Sequence, residues 1–121
     1  MFLVLTMPAF GGGARATGLA ARLHAEPGQP LRRGDPLIDL VVDVSGGLAR
    51  DCPPVSTNRI IVQEALWLRQ FHVLPGERIK PGDRIASFSV ERDAPDEPPV
   101  REPRIEIATI LSHSDWWSEA E

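Results

Sequence analysis

Short apolar runs, each ended by turn-forming residues, follow one another along the chain. Residues Phe2–Met7 are almost all apolar, and Ile105–Leu111 starts with alternating apolar and polar positions. Between these runs, Pro-Gly and Gly-Asp pairs mark tight turns. Many short strands with a turn signal about every 8–12 residues are typical of a β-sandwich or barrel. The pattern therefore predicts an all-β domain, and we expect Ile105–Leu111 to pair with Phe2–Met7.

An internal repeat with an offset of 48 residues organises this pattern. Residues 23–40 align with residues 71–88 without a gap, and each copy reads as strand, turn, short strand, turn, strand. Two copies are too few for a solenoid and fit a closed domain with pseudo-twofold symmetry. Apolar positions predicted to face the core recur in both copies: Leu31, Leu37, Leu40 and Val42 in the first, and Ile79, Ile85, Phe88 and Val90 in the second.

The remaining segments complete the predicted organisation. The stretch 60–68 starts with β-branched residues, which favours a strand over a helix. We expect residues 1–91 to form the β domain, with an inserted Gly- and Pro-containing loop at 45–59. Residues 92–104 are rich in proline and acidic side chains and predict a solvated linker. Residues 105–121 are predicted to be a final strand and a tail that pack on the same domain.

The order of these motifs resembles one known family. Met7-Pro8-Ala9-Phe10-Gly11 comes first, and the spacing Gly-x-x-apolar-x-x-Gly-Asp then occurs once in each copy, at 28–35 and at 76–83. Over roughly residues 5–91 the chain resembles the lipoyl/biotinyl carrier domains. The resemblance implies a flattened barrel-sandwich of two four-stranded antiparallel sheets that are related by a pseudo-twofold axis.

The chemistry of that family depends on a lysine at a hairpin tip, whose amine carries lipoate or biotin through an amide bond. The resemblance places Asp43 on the family's aspartate and Val44 on its lysine. Valine has no amine, so the attachment hairpin is degenerate, and we expect no lipoyl, biotinyl or other cofactor here. The inserted loop after Val44 is a further departure from the family pattern.

Two other side chains offer a different attachment point. Lys80, the one lysine of the sequence, lies in a predicted turn that aligns with Arg32, where a solvated basic residue is ordinary. Cys52 follows Arg50 closely, and a neighbouring cation lowers a thiol pKa. We interpret Cys52 as a plain loop thiol or an interaction residue, and we keep modification at Lys80 or Cys52 as an alternative.

Three histidines and two tryptophans complete the candidate chemistry. His24, His72 and His113 together suffice for a zinc site with an open position. However, His24 and His72 fall on outward positions of separate predicted sheets, so surface packing is favoured and no metal is expected. In the tail, Trp116 and Trp117 point to opposite sides if extended, so one needs a partner or a fold-back to cover it. We therefore regard Trp116, Trp117 and His113 as interaction candidates.

Composition and charge limit the function classes. The chain has 121 residues, 42% hydrophobic content and a net charge of −4, which fits one soluble globular domain and argues against nucleic acid binding. There is no apolar run of about 18 residues, so we expect no membrane span. One cysteine excludes an internal disulfide and indicates a reducing, cytoplasmic location. The glycine-rich segments lack the spacing of a phosphate loop, a dinucleotide fingerprint or a nucleophile elbow, so we expect no enzyme.

The leading hypothesis is a non-catalytic, lipoyl-like binding or scaffolding module with a protein partner of unknown identity, and with homodimerisation as an option. The second hypothesis is a carrier subunit of a multi-enzyme complex that is modified at Lys80 or Cys52. The third is a lipoyl-like adaptor domain of an export assembly, although such adaptors usually carry a long helical hairpin between their two halves. A free-standing hydrolase ranks last, because no acid, base and nucleophile group together.

Overall fold

The computed structural model describes residues 1–8, 17–43, 55–93, 95 and 97–110. These residues form β-strands and no helix, which confirms the all-β prediction; in particular, they contain no helix long and apolar enough to cross a membrane. The strands are β1 (Phe2–Thr6), β2 (Thr17–Leu23), β3 (Pro30–Leu31), β4 (Pro36–Asp43), β5 (Val55–Val62), β6 (Leu66–Phe71), β7 (Arg78–Ile79), β8 (Arg84–Ser89) and β9 (Ile105–Ile110).

The strands form two open antiparallel sheets. Sheet 1 has the order β1-β8-β6-β3, and sheet 2 has the order β7-β2-β4-β5-β9. The expected closed, flattened barrel of two four-stranded sheets is therefore not what the strand pairing shows. Neither sheet closes on itself, and β9 adds a fifth strand to sheet 2 beyond the edge of β5.

The 48-residue repeat is visible in the strand order. The equivalent strands of the two copies are β1 and β5, β2 and β6, β3 and β7, and β4 and β8. When each strand in the order β1-β8-β6-β3 is exchanged for its equivalent, the result is β5-β4-β2-β7, which is sheet 2 without β9. The turn backbone repeats as well, with φ of 90° at Gly28 and 89° at Gly76, and 97° at Gly34 and 93° at Gly82. A side chain is strained at such φ values, so each turn requires glycine. The predicted repeat is thus confirmed in both topology and backbone conformation.

The core lies between the two sheets and uses the alternate positions of each strand. Leu31 and Ile79, the single inward residues of the two short strands, are both buried, as predicted. Val90 was expected in the core but is 41% exposed, because β8 ends one residue earlier at Ser89. The fully buried large side chains are Leu3, Leu5, Met7, Leu31, Leu37, Ile38, Leu40, Ile60, Leu66, Leu68, Ile85 and Phe88.

The last strand pairs differently from the prediction. β9 runs antiparallel to β5, from the pair Thr57–Ile110 to the pair Val62–Ile105, and does not contact β1 as a strand. The free edge of β1 is instead covered by residues 100–101, with a parallel bridge between Leu3 and Arg101. Alternation identified the strand correctly, but it carries no information about which edge the strand joins.

The structure also differs from two predicted segments, the inserted loop at 45–59 and the linker at 92–104. β5 begins at Val55, so residues 55–59 are strand rather than inserted loop, because they pair with the end of β4. The stretch 60–68 is indeed extended, but residues 63–65 divide it between β5 and β6. The segment 92–104 is not solvated throughout, since Pro103 is buried. The tail predicted after the last strand, residues 112–121, lies outside the described residues.

One carboxylate holds the segment that passes from sheet 1 to sheet 2. We call residues 97–110 the C-terminal extension. Arg101 donates from Nη1 and Nη2 to the two oxygens of Glu64, at 2.8 Å each. The backbone N–H of Arg104 donates to Glu64 Oε2 at 2.7 Å, and the N–H of Gln63 donates to the Arg104 carbonyl at 2.9 Å. These contacts fix the corner between the β1 edge and the β5 edge.

Candidate functional site

The position that the resemblance aligns with the attachment lysine follows β4 directly. Asp43 is the last residue of β4 and pairs with Thr17 on one side and with Val55 on the other. The antiparallel strands β4 and β5 are therefore joined by residues 44–54. Val44 is the first residue of that connection, which is the order expected for a hairpin, but Val44 itself lies outside the described residues.

The other predicted interaction residues also lie outside the described part of the chain. This applies to Cys52 in the β4–β5 connection and to His113, Trp116 and Trp117 after β9. The structure therefore does not test whether these residues lie close to one another, and their roles stay predictions.

Lys80 lies in a tight turn between β7 and β8. Its N–H donates to Asp83 Oδ2 at 2.8 Å, and the Asp83 N–H donates back to the Lys80 carbonyl at 3.0 Å. Arg32 and Asp35 form the same turn in the first copy, with distances of 2.9 Å and 3.0 Å. The exposed Lys80 side chain thus belongs to a repeated turn and not to the connection between β4 and β5.

The two repeated histidines lie next to different sheets, as predicted, but each contacts a polar side chain. His72 Nε2 lies 2.6 Å from Ser87 Oγ. His24 Nε2 lies 3.0 Å from Asp39 Oδ2, at ion-pair distance but without the alignment of a hydrogen bond. The contacted residues Asp39 and Ser87 are themselves 48 positions apart. The repeat therefore places the two contacts at equivalent positions, although their geometry differs.

Asp39 is the centre of a small charged cluster on the outer face of sheet 2. Arg59, from the neighbouring strand β5, donates from Nε to Asp39 Oδ1 at 2.9 Å and from Nη2 to Oδ2 at 3.3 Å. Burial, the largest single influence, raises the pKa of Asp39, but the hydrogen bonds from Arg59 and the contact with His24 together hold that pKa below its ordinary value. The carboxylate is already fully engaged by its neighbours, which is the pattern of a structural pair.

A groove that the sequence did not predict lies on the outer face of sheet 1. Phe2 and Val4 alternate with the core residues of β1, yet they are only 7% and 8% exposed. Two adjoining concavities of about 380 and 300 Å³ lie over them, and both are lined by Val4, Arg84 and Pro99. We call this surface the arginine groove. Its remaining lining residues are Phe2, Arg69, Gln70, Ser87 and Glu97 in the larger concavity and Thr6, Val100, Arg101 and Glu102 in the smaller one.

Arginine side chains form the polar part of this groove. Arg69 lies over the Phe2 ring at 5.5 Å and donates from Nη1 to the Arg92 carbonyl at 3.0 Å. Arg84, the first residue of β8, is exposed and lines both concavities. The sequence did carry a signal for such a covered surface, because a strand that is apolar on both faces needs cover on both faces.

The described residues form no metal-binding cluster. They contain no group of three or more His, Cys, Asp or Glu side chains arranged to hold a metal ion. Their strongest carboxylate interactions, at Asp39 and Glu64, join neighbouring structural elements. Comparison of the chain with family models, with curated proteins and with solved structures finds no match, so its functional assignment depends on its own residues and geometry.

Proposed function

We propose that this chain is a lipoyl-like module that is not acylated and that acts by binding a protein partner. The observation that carries the proposal is the shared strand order of the two copies, together with the valine that follows β4. Within this proposal, the four repeat-related strands of each sheet correspond to a flattened barrel-sandwich, and β9 is an addition to it.

The absence of an amine at the hairpin supports the non-acylated state. Acylation by lipoate or biotin forms an amide bond and needs a primary amine at the site. Val44 supplies only a branched hydrocarbon side chain, and Lys80 lies in the equivalent of a first-copy turn, between β7 and β8. An amide-linked lipoyl or biotinyl arm between β4 and β5 is therefore excluded, because residues 44–54 contain no lysine.

Partner binding is favoured over the other two roles by the described surface. The arginine groove combines an apolar floor with arginine side chains, a composition common in protein interfaces. The connection between β4 and β5 spans only residues 44–54. At about 1.5 Å per residue, this length is too short for a long helical hairpin, which disfavours the export adaptor.

The test is the intact mass of the chain purified from its native cell, where modifying enzymes are present. We expect the mass of the unmodified polypeptide, and we propose a reducing, cytoplasmic compartment on the basis of the single cysteine. A mass increase equal to a lipoyl or biotinyl group would overturn the proposal. The variants Lys80→Arg and Cys52→Ser would then show which side chain carries the group, and loss of the increase in either one would establish the carrier-subunit alternative.

A further inference from the structure

We infer that the arginine groove binds an extended, acidic segment of a partner protein, with Arg84 as the main contact to a carboxylate. This inference deepens the proposed function and rests on it, because it names the surface and the chemistry of the partner.

The shape of the groove suits an extended chain. The two concavities share Val4, Arg84 and Pro99, so they lie side by side with Arg84 at their common boundary. The floor is the outward face of β1, and one wall is the segment 97–102. In an extended peptide, successive side chains point to opposite sides. Apolar side chains of such a peptide would then face the exposed Val100 on that wall, while the intervening ones reach Arg84.

The two acidic residues that line the groove in the described part of the chain, Glu97 and Glu102, are already engaged. Glu97 Oε1 lies 3.3 Å from the Met1 amine. Glu102 Oε1 accepts hydrogen bonds from the N–H and the hydroxyl of Thr6, at 3.2 Å each. Glu64, just beyond the groove, accepts both donors of Arg101. These contacts hold the local carboxylates on protein donors and away from Arg84.

Arg84 is the cation that these contacts leave available. Among the described residues, no carboxylate lies within ion-pair distance of its guanidinium. Its exposed side chain carries five N–H donors in a planar fork, which matches the two oxygens of a carboxylate. Arg69 adds a second positive charge in the larger concavity, where the Phe2 ring and the Arg92 carbonyl hold it in place.

An acidic peptide fits this site better than a nucleic acid does. The chain carries a net charge of −4, which on balance disfavours binding of a long polyanion. A short peptide places only a few carboxylates beside Arg84, and it covers the exposed apolar surface of Val100 as well. Apolar burial and a local charge pair then act together, as in other extended-peptide interfaces.

The experiment measures fluorescence anisotropy of a labelled octapeptide in which glutamate and valine alternate. The matched control peptide carries glutamine at each glutamate position. We expect the glutamate peptide to bind the full chain at least about 10-fold more tightly than the glutamine peptide, since a charge-assisted hydrogen bond is about twice as strong as a neutral one. Arg84→Gln should weaken binding of the glutamate peptide by about 10-fold.

Two further variants separate charge, geometry and folding. Arg84→Lys keeps the charge but loses the planar fork, so its affinity should lie between those of the wild type and Arg84→Gln. Arg32→Gln removes an equally exposed arginine from a turn outside the groove and should bind like the wild type. Circular dichroism of each variant checks that the fold is intact.

Three results would overturn the inference: no binding of the glutamate peptide at millimolar concentration, equal affinity for the two peptides, or equal losses in Arg84→Gln and Arg32→Gln. Displacement of the peptide by inorganic phosphate at equal concentration would also overturn it, because the groove would then be a site for small anions. None of these results changes the intact mass, so a failure here is distinguishable from a failure of the proposed function.

Discussion

Replacing Glu64 with glutamine removes one negative charge from the corner where the C-terminal extension leaves sheet 1. The glutamine side chain has nearly the same size, but it offers Arg101 only one acceptor oxygen in place of two. Both guanidinium donors reach Glu64 at 2.8 Å, and the Arg104 N–H reaches it at 2.7 Å. The change therefore weakens the attachment of the extension without creating a cavity.

The magnitude follows from the pKa of Glu64. The hydrogen bond from Arg101, the largest influence, acts with the Arg104 N–H to lower that pKa from 4.5 to about 2, although burial opposes the change. At about 1.4 kcal/mol for each pKa unit, the full difference would correspond to about 3 kcal/mol. Since the Arg101 side chain is 39% exposed, solvent screening reduces the expected loss to about 1–2 kcal/mol.

The sign of the pH dependence is also defined. Because the pKa of Glu64 is lower in the folded state, its stabilising contribution is fully present above pH 4.5 and is lost as the pH falls towards 2. Urea unfolding of the wild type and of Glu64→Gln should therefore differ by about 1–2 kcal/mol at pH 7, and the difference should shrink steadily below pH 4.5.

A charge-matched control tests the reasoning. Glu26→Gln removes the same charge from an exposed carboxylate and should leave the free energy of unfolding almost unchanged. If Glu64→Gln and Glu26→Gln unfold at the same urea concentration at pH 7, or if the effect of Glu64→Gln does not depend on pH, the assigned role of the corner carboxylate is wrong.

Three further predictions concern the repeat, the core and the Asp39 cluster. Gly34→Ala and Gly82→Ala should each destabilise the fold by about 1–2 kcal/mol in urea unfolding, because φ is 97° and 93° there; unequal effects would show that the two turns are not equivalent. Phe88→Ala should cost about 3–5 kcal/mol and lower the thermal midpoint by circular dichroism, since the side chain is fully buried. Arg59→Gln should cost about 1 kcal/mol at pH 7, since Arg59 is 37% exposed, and the loss should fade below about pH 3.8 as Asp39 becomes protonated; a constant loss down to pH 2 would refute it.

Turn chemistry made the two repeated units predictable. Gly28 and Gly34 occur with prolines and aspartate at a spacing that recurs 48 residues later, and glycine tolerates a positive φ that other residues avoid. Local rules of this kind depend only on neighbouring residues. They placed the short strands and their inward residues, Leu31 and Ile79, correctly.

Strand partners and the arginine groove depend on contacts that are distant in sequence. The alternation of Ile105–Ile110 predicts a strand, but either open edge, that of β1 or that of β5, accepts the same pattern. Val4, Arg69 and Arg84 meet only because β8 lies between β1 and β6. No local spacing connects these three residues, so sequence reasoning had no means to group them.

The C-terminal extension also has a consequence for synthesis of the chain. The two repeated units are complete by residue 89, when the ribosome has still to add the residues that cover the outer sides of β1 and β5. A chain whose final segment has not yet docked presents unpaired backbone N–H and C=O groups on the outer edges of β1 and β5, and exposed edges of this kind favour association between neighbouring polypeptides. Docking of residues 100–110 covers the edges of both β1 and β5, so it removes two surfaces through which the chain could aggregate.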